Sequence, residues 1–428
     1  MNIAFYTLGC KVNQYETQAM REDFIKSGYT AVSEGAPCDI AVINSCTVTA
    51  ESDRKTRQLL RRIRRENPNA VILLTGCMVQ AFSQESTALK EADIIAGNTD
   101  VAKIKVLVEK FLTDGERIIE IAPHKEKAAF NTPNISDFAE RTRAYMKIQD
   151  GCDRYCSYCI IPKARGHIRS KPIEEIKKEA LALSEAGFLE IVLVGINLSS
   201  YGMDEGMNLC DAVEAVCSVD GIKRVRLGSL EPDHISDDML KRFKNQEKFC
   251  EQFHLSLQSG CDRTLKRMNR HYDTAFYTDL VERIRKMFPN AAITTDIMVG
   301  FAGETDEEFK ESVEYLKKIG FAKSHVFAYS RRKGTVAYGL PDQVTNAVKS
   351  QRSKQMLSAA AYSENNFLES QVGKVYPVLF ETACDGTARG YTPNYTLVEV
   401  ESQFKHTGEI LNVKIVSNQK DYCIGEIV

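Results

Sequence analysis

Three cysteines in the stretch GCDRYCSYCIIP, Cys152, Cys156 and Cys159, are separated by three residues and then by two. Thiolates favour soft metals and iron–sulfur clusters. A structural zinc site gathers four N or S ligands, often as two short pairs, and a two-cluster ferredoxin carries a nearby fourth cysteine followed by proline. Here the next cysteine is Cys210. A 4Fe-4S cube takes one thiolate per iron, so a short loop with three cysteines holds three corners and leaves one iron open. An open iron accepts a small chelating ligand. S-adenosylmethionine is such a ligand, gripping through its amino and carboxylate groups, and one electron from the cluster then cleaves its sulfonium to start radical chemistry. Structural zinc is the alternative.

Three further cysteines share a location. Cys10, Cys46 and Cys77 follow TLG, INS and LTG, each two residues beyond the end of an expected strand. In a parallel α/β sheet those ends lie along one edge, the usual place for ligands. Cysteine packing as a small apolar residue explains any one of them but explains three matching positions less well. Cys38, Cys210, Cys217, Cys250, Cys261, Cys384 and Cys423 show no spacing pattern and read as core residues.

The chain has 428 residues, 43% of them hydrophobic, and a net charge of -2, which permits two or three packed domains and excludes a disordered class. It has no basic n-region with an apolar core and no long apolar run, so secretion and membrane spanning are not expected and the cytoplasm is the default. Thirteen cysteines, an odd number in a long chain, favour metal ligation, catalysis or packing over disulfides.

Residues 1–112 alternate short apolar runs (IAFYTL, DIAVIN, AVILLT, DIIAG) with helical patterns, as a mostly parallel α/β domain does. Residues 113–140, with Pro123 and Pro133, read as a linker. Residues 141–370 carry six strand-like runs (YMKIQ, EIVLVG, KRVRLG, QFHLSLQ, AITTDIMVG, KSHVFAYS) alternating with helices, which predicts a partial (βα)6 barrel with its chemistry on the loops after the strands. The cysteine triplet directly follows the first run. Residues 371–428 are β-rich and predict a small barrel resembling OB-like nucleic-acid-binding modules.

Other strand ends supply candidate cofactor contacts: Asn197 in VGINLSSYG, Ser229 and Glu231 in GSLEP, Gln258 in LQSG, and Asp296, Gly300 and Glu304 in DIMVGFAGET. The Gly-rich turn would let backbone approach an adenine or ribose. From Arg54 to Arg65, RKTRQLLRRIRR carries seven Arg or Lys and no acid. With Leu59, Leu60 and Ile63 facing a sheet, Arg54, Arg57, Arg61 and Arg65 form an outward stripe, either a solvated face or a phosphate contact.

In order, TLGCKVNQYET, NSCTV, TGC, KIQDGCDRYCSYCIIPKARG, GSLEP, HLSLQSG and DIMVGFAGET resemble the methylthiotransferase family of radical S-adenosylmethionine enzymes over essentially the whole chain. The opening motif most resembles the branch that acts on N6-threonylcarbamoyladenosine in tRNA. The resemblance implies a radical-generating 4Fe-4S cluster on Cys152, Cys156 and Cys159, and an auxiliary 4Fe-4S cluster on Cys10, Cys46 and Cys77 that carries the sulfur to be inserted. It also implies two S-adenosylmethionine molecules per turnover, a terminal TRAM-like domain, a tRNA anticodon loop as substrate, and an electron donor such as flavodoxin or ferredoxin. The expected product carries a methylthio group at adenine carbon 2, a C–H position outside the reach of acid–base catalysis.

Two features depart from the family pattern. Ala302 stands where the turn is expected to hold proline, and the terminal domain has five Lys or Arg against seven Asp or Glu. The stripe on the first domain is therefore the expected phosphate contact, with Tyr391 and Tyr395 as candidates for stacking on bases. At the end of the barrel, Arg331, Arg332 and Lys333 are candidates for holding the threonyl carboxylate. Sister activities on isopentenyladenosine tRNA or on a ribosomal protein aspartate, and an RNA-binding iron–sulfur carrier, are the alternatives.

Overall fold

The computed structural model describes residues 1–126, 128–138, 142–384, 386–402 and 406–428. Residues 127 and 139–140 of the expected linker, residue 141 of the expected barrel and residues 385 and 403–405 of the terminal domain lie outside them.

The first domain runs β1 (Asn2–Thr7), α1 (Lys11–Lys26), β2 (Thr30–Val32), β3 (Ile40–Ser45), α2 (Ala50–Glu66), β4 (Val71–Gly76), α3 (Cys77–Ala81), α4 (Ser83–Thr87), β5 (Ile94–Ala96), α5 (Lys103–Asp114) and β6 (Ile118–Glu120). Its strands form one parallel sheet of order β2-β1-β3-β4-β5-β6. Both faces are covered, which is why β3 and β4 are buried at every position rather than alternating. Ile3, Phe5, Ile40 and Leu73 pack under α1 and α5, while Ala4, Ile43, Ile72 and Leu74 pack under α2. β2 and β6 are three-residue edge strands, too short to show a pattern. β6 therefore extends the first domain to Glu120, past the expected boundary at 112.

The expected linker is also more ordered than its composition implied. Ile135 and Phe138 are buried in the core of the second domain. Glu22 of α1 accepts hydrogen bonds from the Ser136 and Asp137 amides at 2.9 and 3.0 Å. α1 is buried on two sides: Met20 and Phe24 against the sheet, and Val12, Tyr15 and Ala19 against the barrel. Each such large apolar side chain contributes about 1.5–3 kcal/mol when fully buried, so α1 joins the two domains.

The second domain contains β7 (Arg143–Lys147), β8 (Gln149–Asp150), α6 (Ile161–Arg165), β9 (Arg169–Ser170), α7 (Ile173–Glu185), β10 (Glu190–Val194), α8 (Leu209–Cys217), β11 (Arg224–Leu227), β12 (Ser229–Leu230), α9 (Asp237–Lys244), β13 (Gln252–Leu255), α10 (Asp262–Arg267), α11 (Thr274–Met287), β14 (Ala292–Val299), α12 (Asp306–Ile319) and β15 (Lys323–Ala328). The run that starts at β11 breaks at Gly228, so β11 pairs with β10 and β12 pairs with β13. Two parallel sheets, β11-β10-β7 and β12-β13-β14-β15, thus make six strand positions of an open barrel. α13 (Asn346–Glu369) covers β14 and β15.

The terminal domain is a closed barrel of β16 (Val375–Cys384), β17 (Thr387–Tyr391), β18 (Leu397–Glu401), β19 (Ile410–Asn418) and β20 (Cys423–Ile427). β17, TARGY, escapes sequence reading because its threonine, arginine and glycine look like turn. It docks on the second domain through arginines at the starts of strands. Arg226 donates to the Pro393 and Thr392 carbonyls at 2.8 and 3.2 Å, and Arg224 to Tyr391 at 2.8 Å. Glu190, fully buried, pairs with Arg226 at 2.7 Å and lies within 4 Å of Arg143 and Arg224. Among the described residues, no helix is long and apolar enough to cross a membrane.

Candidate active site

The order of the first sheet reverses beside β1, so a crevice opens at the C-terminal ends of β1 and β3. Cys10 precedes α1, Cys46 follows β3 and Cys77 follows the adjoining β4 at the start of α3, so all three sit along that edge. Gly76, at φ 98°, is required: a Cβ would strike the Ser45 carbonyl and amide, because β3 and β4 converge closely just before Cys46 and Cys77. Burial pushes the Cys77 thiol up to about 12 and raises that of Cys46. Negative charge on Cys10 or Cys46 would raise Cys77 further, while Arg165 works in the opposite direction.

Arg165 is fully buried at the end of α6. Its Nε donates to Cys77 Sγ at 3.2 Å, and its guanidinium grips Glu16 of α1 and Asn13 Oδ1 at 3.0 Å. Glu16 also accepts from Lys147 at 2.6 Å, and Lys147 donates to Asp150 at 2.7 Å, with Arg169 3.2 Å from the same carboxylate. Burial alone would raise Glu16, but Arg165 and Lys147 hold it below the usual carboxylate range. Three cations thus face two carboxylates, and the surplus charge points at the first cysteine set.

The second set lies between β8 and α6. Antiparallel pairing of β8 with β9 pins the base of the loop, with Gln149 opposite Ser170 and Asp150 opposite Arg169. Gly151 has φ 73°, and a Cβ there would collide with the His167 carbonyl across the pair. Cys152 follows directly. Burial pushes Cys152 up to about 11 and Cys159 up to about 12. Arg270 donates to Cys156 Sγ at 3.1 Å and pairs with Glu231 at 2.5 Å. Each cysteine set therefore has one buried guanidinium on one of its sulfurs. The sets are neighbours: Cys77 and Ala81 pack against Ile160 and Ala164.

Two buried oxygens near the second set, Asn197 Oδ1 and Gln258 Oε1, have no hydrogen-bond partner in the protein. The Asn197 amide nitrogen lies 3.8 Å from Cys152 Sγ, and Gln258 adopts φ 72°, a strained value for a non-glycine residue. Buried acceptors left open on the same rim are what a polar ligand satisfies. The thiol sets, with guanidinium rather than carboxylate companions, suit an anionic iron–sulfur cluster and an attached polar ligand. Among the described residues, no three His, Cys, Asp or Glu side chains group closely enough to share a single ion; each thiolate of a cubane cluster meets its own iron.

Two cavities meet this region. One, of about 400 Å³, is lined by Cys159, Tyr158, Gln258, Asp296 and Met298. The other, of about 580 Å³, occupies the barrel interior and is bordered by Cys10 and Lys11 of the first domain, Ser229 and His254 of the second, and Tyr395 of the third. Asp296 lines both and accepts from His254 at 3.2 Å.

Other expected residues fall elsewhere. Gly300 faces the Lys349 side chain, and the buried Glu304 accepts from the Gly300 amide and from Arg352, both at 2.7 Å. They fix the turn against α13 and line neither cavity, so the expected adenine or ribose contact is not supported there. Ala302 is buried in that turn and takes no partner away.

Arg332 is 4% exposed and bonds Thr47 at 2.6 Å and Asp53 at 2.7 Å, clasping the barrel to the first domain. This corrects its expected role as a free carboxylate clamp. Arg331 stacks on Tyr338 and Lys333 lies exposed, 3.8 Å from Glu85.

Tyr391 and Tyr395 stack on each other at 4.6 Å, with Arg143 over both rings and Arg226 over Tyr395. One face of each ring is taken by the other, and Arg226 lies over Tyr395, so Tyr395 is not open for base stacking. Arg54, Arg61 and Arg65 are exposed on α2 and Arg57 is half-buried, with Arg54 paired to Glu51 and Arg61 to Glu91. Sequence reading missed Arg165, Arg270, Glu16 and Lys147. Arg165 closes the motif of the second cysteine set, in KARG, and Arg270 lies far from it in sequence, in NRHY, but a lone basic residue carries no spacing signal.

Comparison with known proteins bears directly on this arrangement. The Radical SAM superfamily profile matches residues 146–316, and that of Uncharacterized protein family UPF0004 matches residues 2–97. The chain is 36% identical over 433 residues, 100% of its own length and 96% of the relative's, to threonylcarbamoyladenosine tRNA methylthiotransferase MtaB of Bacillus subtilis. The Aquifex aeolicus protein of the same name is 36% identical over 97% of this chain and 100% of its own. A Clostridium perfringens tRNA-2-methylthio-N(6)-dimethylallyladenosine synthase is 34% identical over 99% and 96%. Among solved structures, the radical S-adenosylmethionine methyltransferase TsrM from Kitasatospora setae superposes with a TM-score of 0.57 over 78% of this chain and 73% of that one. At 10% identity that likeness concerns the fold alone.

Proposed function

The chain belongs to the methylthiotransferase family of radical S-adenosylmethionine enzymes, and on that basis we propose that it places a methylthio group on carbon 2 of N6-threonylcarbamoyladenosine, the tRNA nucleoside 3′ of the anticodon. The observation that carries the reading is the pair of adjoining cysteine sets, each with its own buried arginine, at the facing strand ends of two domains. A single radical-generating site would need only one such set. The substrate follows the names of the full-length relatives at 36% identity.

Iron–sulfur clusters and S-adenosylmethionine are the cofactors of this enzyme class; when bound, they supply a 5′-deoxyadenosyl radical and the sulfur to be inserted. The chain's own residues prepare both places. Cys152, Cys156 and Cys159 hold the first cluster, with Arg270 and Glu231 fixing the loop, while Asn197 and Gln258 offer their open amide oxygens to S-adenosylmethionine. Cys10, Cys46 and Cys77 hold the second, with Arg165 balancing its charge. The buried walls around Cys77 and Ile160 exclude water from the path between them.

Nucleosides from tRNA, expressed with this chain in a host lacking its own enzyme, test the substrate. Mass spectrometry is expected to find 2-methylthio-N6-threonylcarbamoyladenosine while the prenylated adenosine stays unmodified. The Clostridium perfringens relative makes the opposite result the specific competitor, and methylthiolated dimethylallyladenosine alone would replace this reading.

Binding of tRNA is expected to involve the α2 stripe, whose Arg57 has no carboxylate partner among the described residues. The Arg57→Ala, Arg61→Ala double variant should flatten the log–log salt dependence of tRNA affinity by roughly 0.7 to 0.9 for each phosphate that is no longer neutralised. An unchanged slope would make the stripe a solvated face. A small electron-transfer protein such as flavodoxin or ferredoxin is the proposed reductant.

A further inference from the structure

The barrel cavity of about 580 Å³ is bordered by all three domains and is lined by a lysine, Lys11, that no carboxylate answers among the described residues. Lys11 follows Cys10 directly, is half-buried and lines this cavity. Among the described residues it has no carboxylate partner, and its ammonium lies 5.7 Å from the centre of the Tyr145 ring. Most of the other charged groups lining the cavity have partners. Arg226 is held by Glu190 at 2.7 Å, Lys323 pairs with Glu364 at 3.2 Å, and Asp296 pairs with His254 at 3.2 Å. Asp421 is exposed on the terminal barrel.

The surroundings of Lys11 are positive. Arg143, Arg224 and Arg226 share the buried Glu190, and Arg143 has Glu381 as its second partner, so no carboxylate in that group is left for Lys11. α1 begins at Lys11 without an acidic side chain in its first turn, which adds the positive end of its peptide dipoles to the same wall. A half-buried, unpaired ammonium facing a cavity is a costly arrangement for the empty protein and a receptor for an anion.

The two candidate nucleosides differ in this respect. A threonylcarbamoyl group ends in a carboxylate, and a dimethylallyl group is apolar. Arg332 is committed to Asp53 and Thr47, and Arg331, Arg332 and Lys333 do not line this cavity, whereas Lys11 does. We propose that Lys11 binds the carboxylate of the threonylcarbamoyl group inside the barrel cavity, beside Cys10, and thereby sets the choice between the charged and the apolar nucleoside. This rests on the substrate reading above and names the residue that enforces it.

The test uses the reconstituted full-length protein with three anticodon stem-loop RNAs, bearing threonylcarbamoyladenosine, its carboxyl methyl ester, or dimethylallyladenosine. Direct binding is measured together with turnover. Loss of a charge-assisted hydrogen bond from a desolvated site weakens binding by about 10- to 100-fold. Wild type is expected to prefer the acid to the ester by that factor. Lys11→Gln should lose the preference by weakening for the acid alone, and Lys11→Arg should restore part of it.

Equal binding of acid and ester by wild type overturns the proposal without any variant, so a Lys11→Gln protein that fails to load iron does not rescue it. Lys11→Gln that keeps full preference for the acid also overturns it. If wild type modifies only the dimethylallyladenosine RNA, the substrate reading has failed and the proposal falls with it, a result distinct from loss of acid discrimination on an accepted substrate.

Discussion

Replacing Cys152, Cys156 and Cys159 together by alanine is expected to leave about four irons on the reconstituted chain, the content of one cubane cluster, and to abolish formation of 5′-deoxyadenosine. Replacing Cys10, Cys46 and Cys77 together is also expected to leave about four irons. In that variant 5′-deoxyadenosine formation persists while methylthio transfer is lost. The asymmetry follows from the surroundings. The set of Cys152, Cys156 and Cys159 shares its rim with the open amide oxygens of Asn197 and Gln258 and with Glu231. The set of Cys10, Cys46 and Cys77 lies on a different domain and meets the other through Cys77, Ala81, Ile160 and Ala164. Iron and sulfide analysis with product chromatography decides the matter. Full iron in either triple variant would remove that set from the ligand assignment, and equal loss of 5′-deoxyadenosine in both would mean that the two sets do not act separately.

The second large effect is expected at a residue that touches no sulfur. Glu16 is 2% exposed and answers both Arg165 and Lys147, with Asp150 as the other carboxylate of the network. Glu16→Gln keeps the shape but leaves Arg165, Lys147 and Arg169 facing Asp150 alone. Removing one partner of a buried ionic cluster costs about 3–5 kcal/mol, a large part of the roughly 5–15 kcal/mol that holds a domain folded. Arg165→Met should cost less, because Lys147 and Arg169 still balance Glu16 and Asp150. Urea unfolding of the two variants at equal iron loading measures the difference. A Glu16→Gln protein as stable as wild type would show that α1 is held to the barrel by its apolar face of Val12, Tyr15 and Ala19 rather than by this network.

What the sequence determined by itself was local or periodic. The three-then-two spacing of Cys152, Cys156 and Cys159 is a property of one loop, and no folding is needed to read it. The runs of β3 and β4 are continuously apolar because both sheet faces are covered, and the six strand runs of the barrel repeat with their helices. The ends of β1, β3 and β4 could be placed on one edge, and with them Cys10, Cys46 and Cys77, because parallel topology carries that consequence.

Pairing was decided only by the tertiary structure. Nothing near Arg332 in sequence shows that Asp53 will take its charge, or that Tyr391 and Tyr395 will close on Arg143 from another domain. Arg165, Glu16 and Lys147 come from separate motifs and meet because α1 is buried between the sheet and the barrel. Lys11 stands out for the converse reason: its neighbours brought in by folding are cations and a carboxylate already shared. Charge compensation is a property of three-dimensional neighbourhoods, so a sequence shows which charges exist, and only the packed fold shows which of them are left for a ligand.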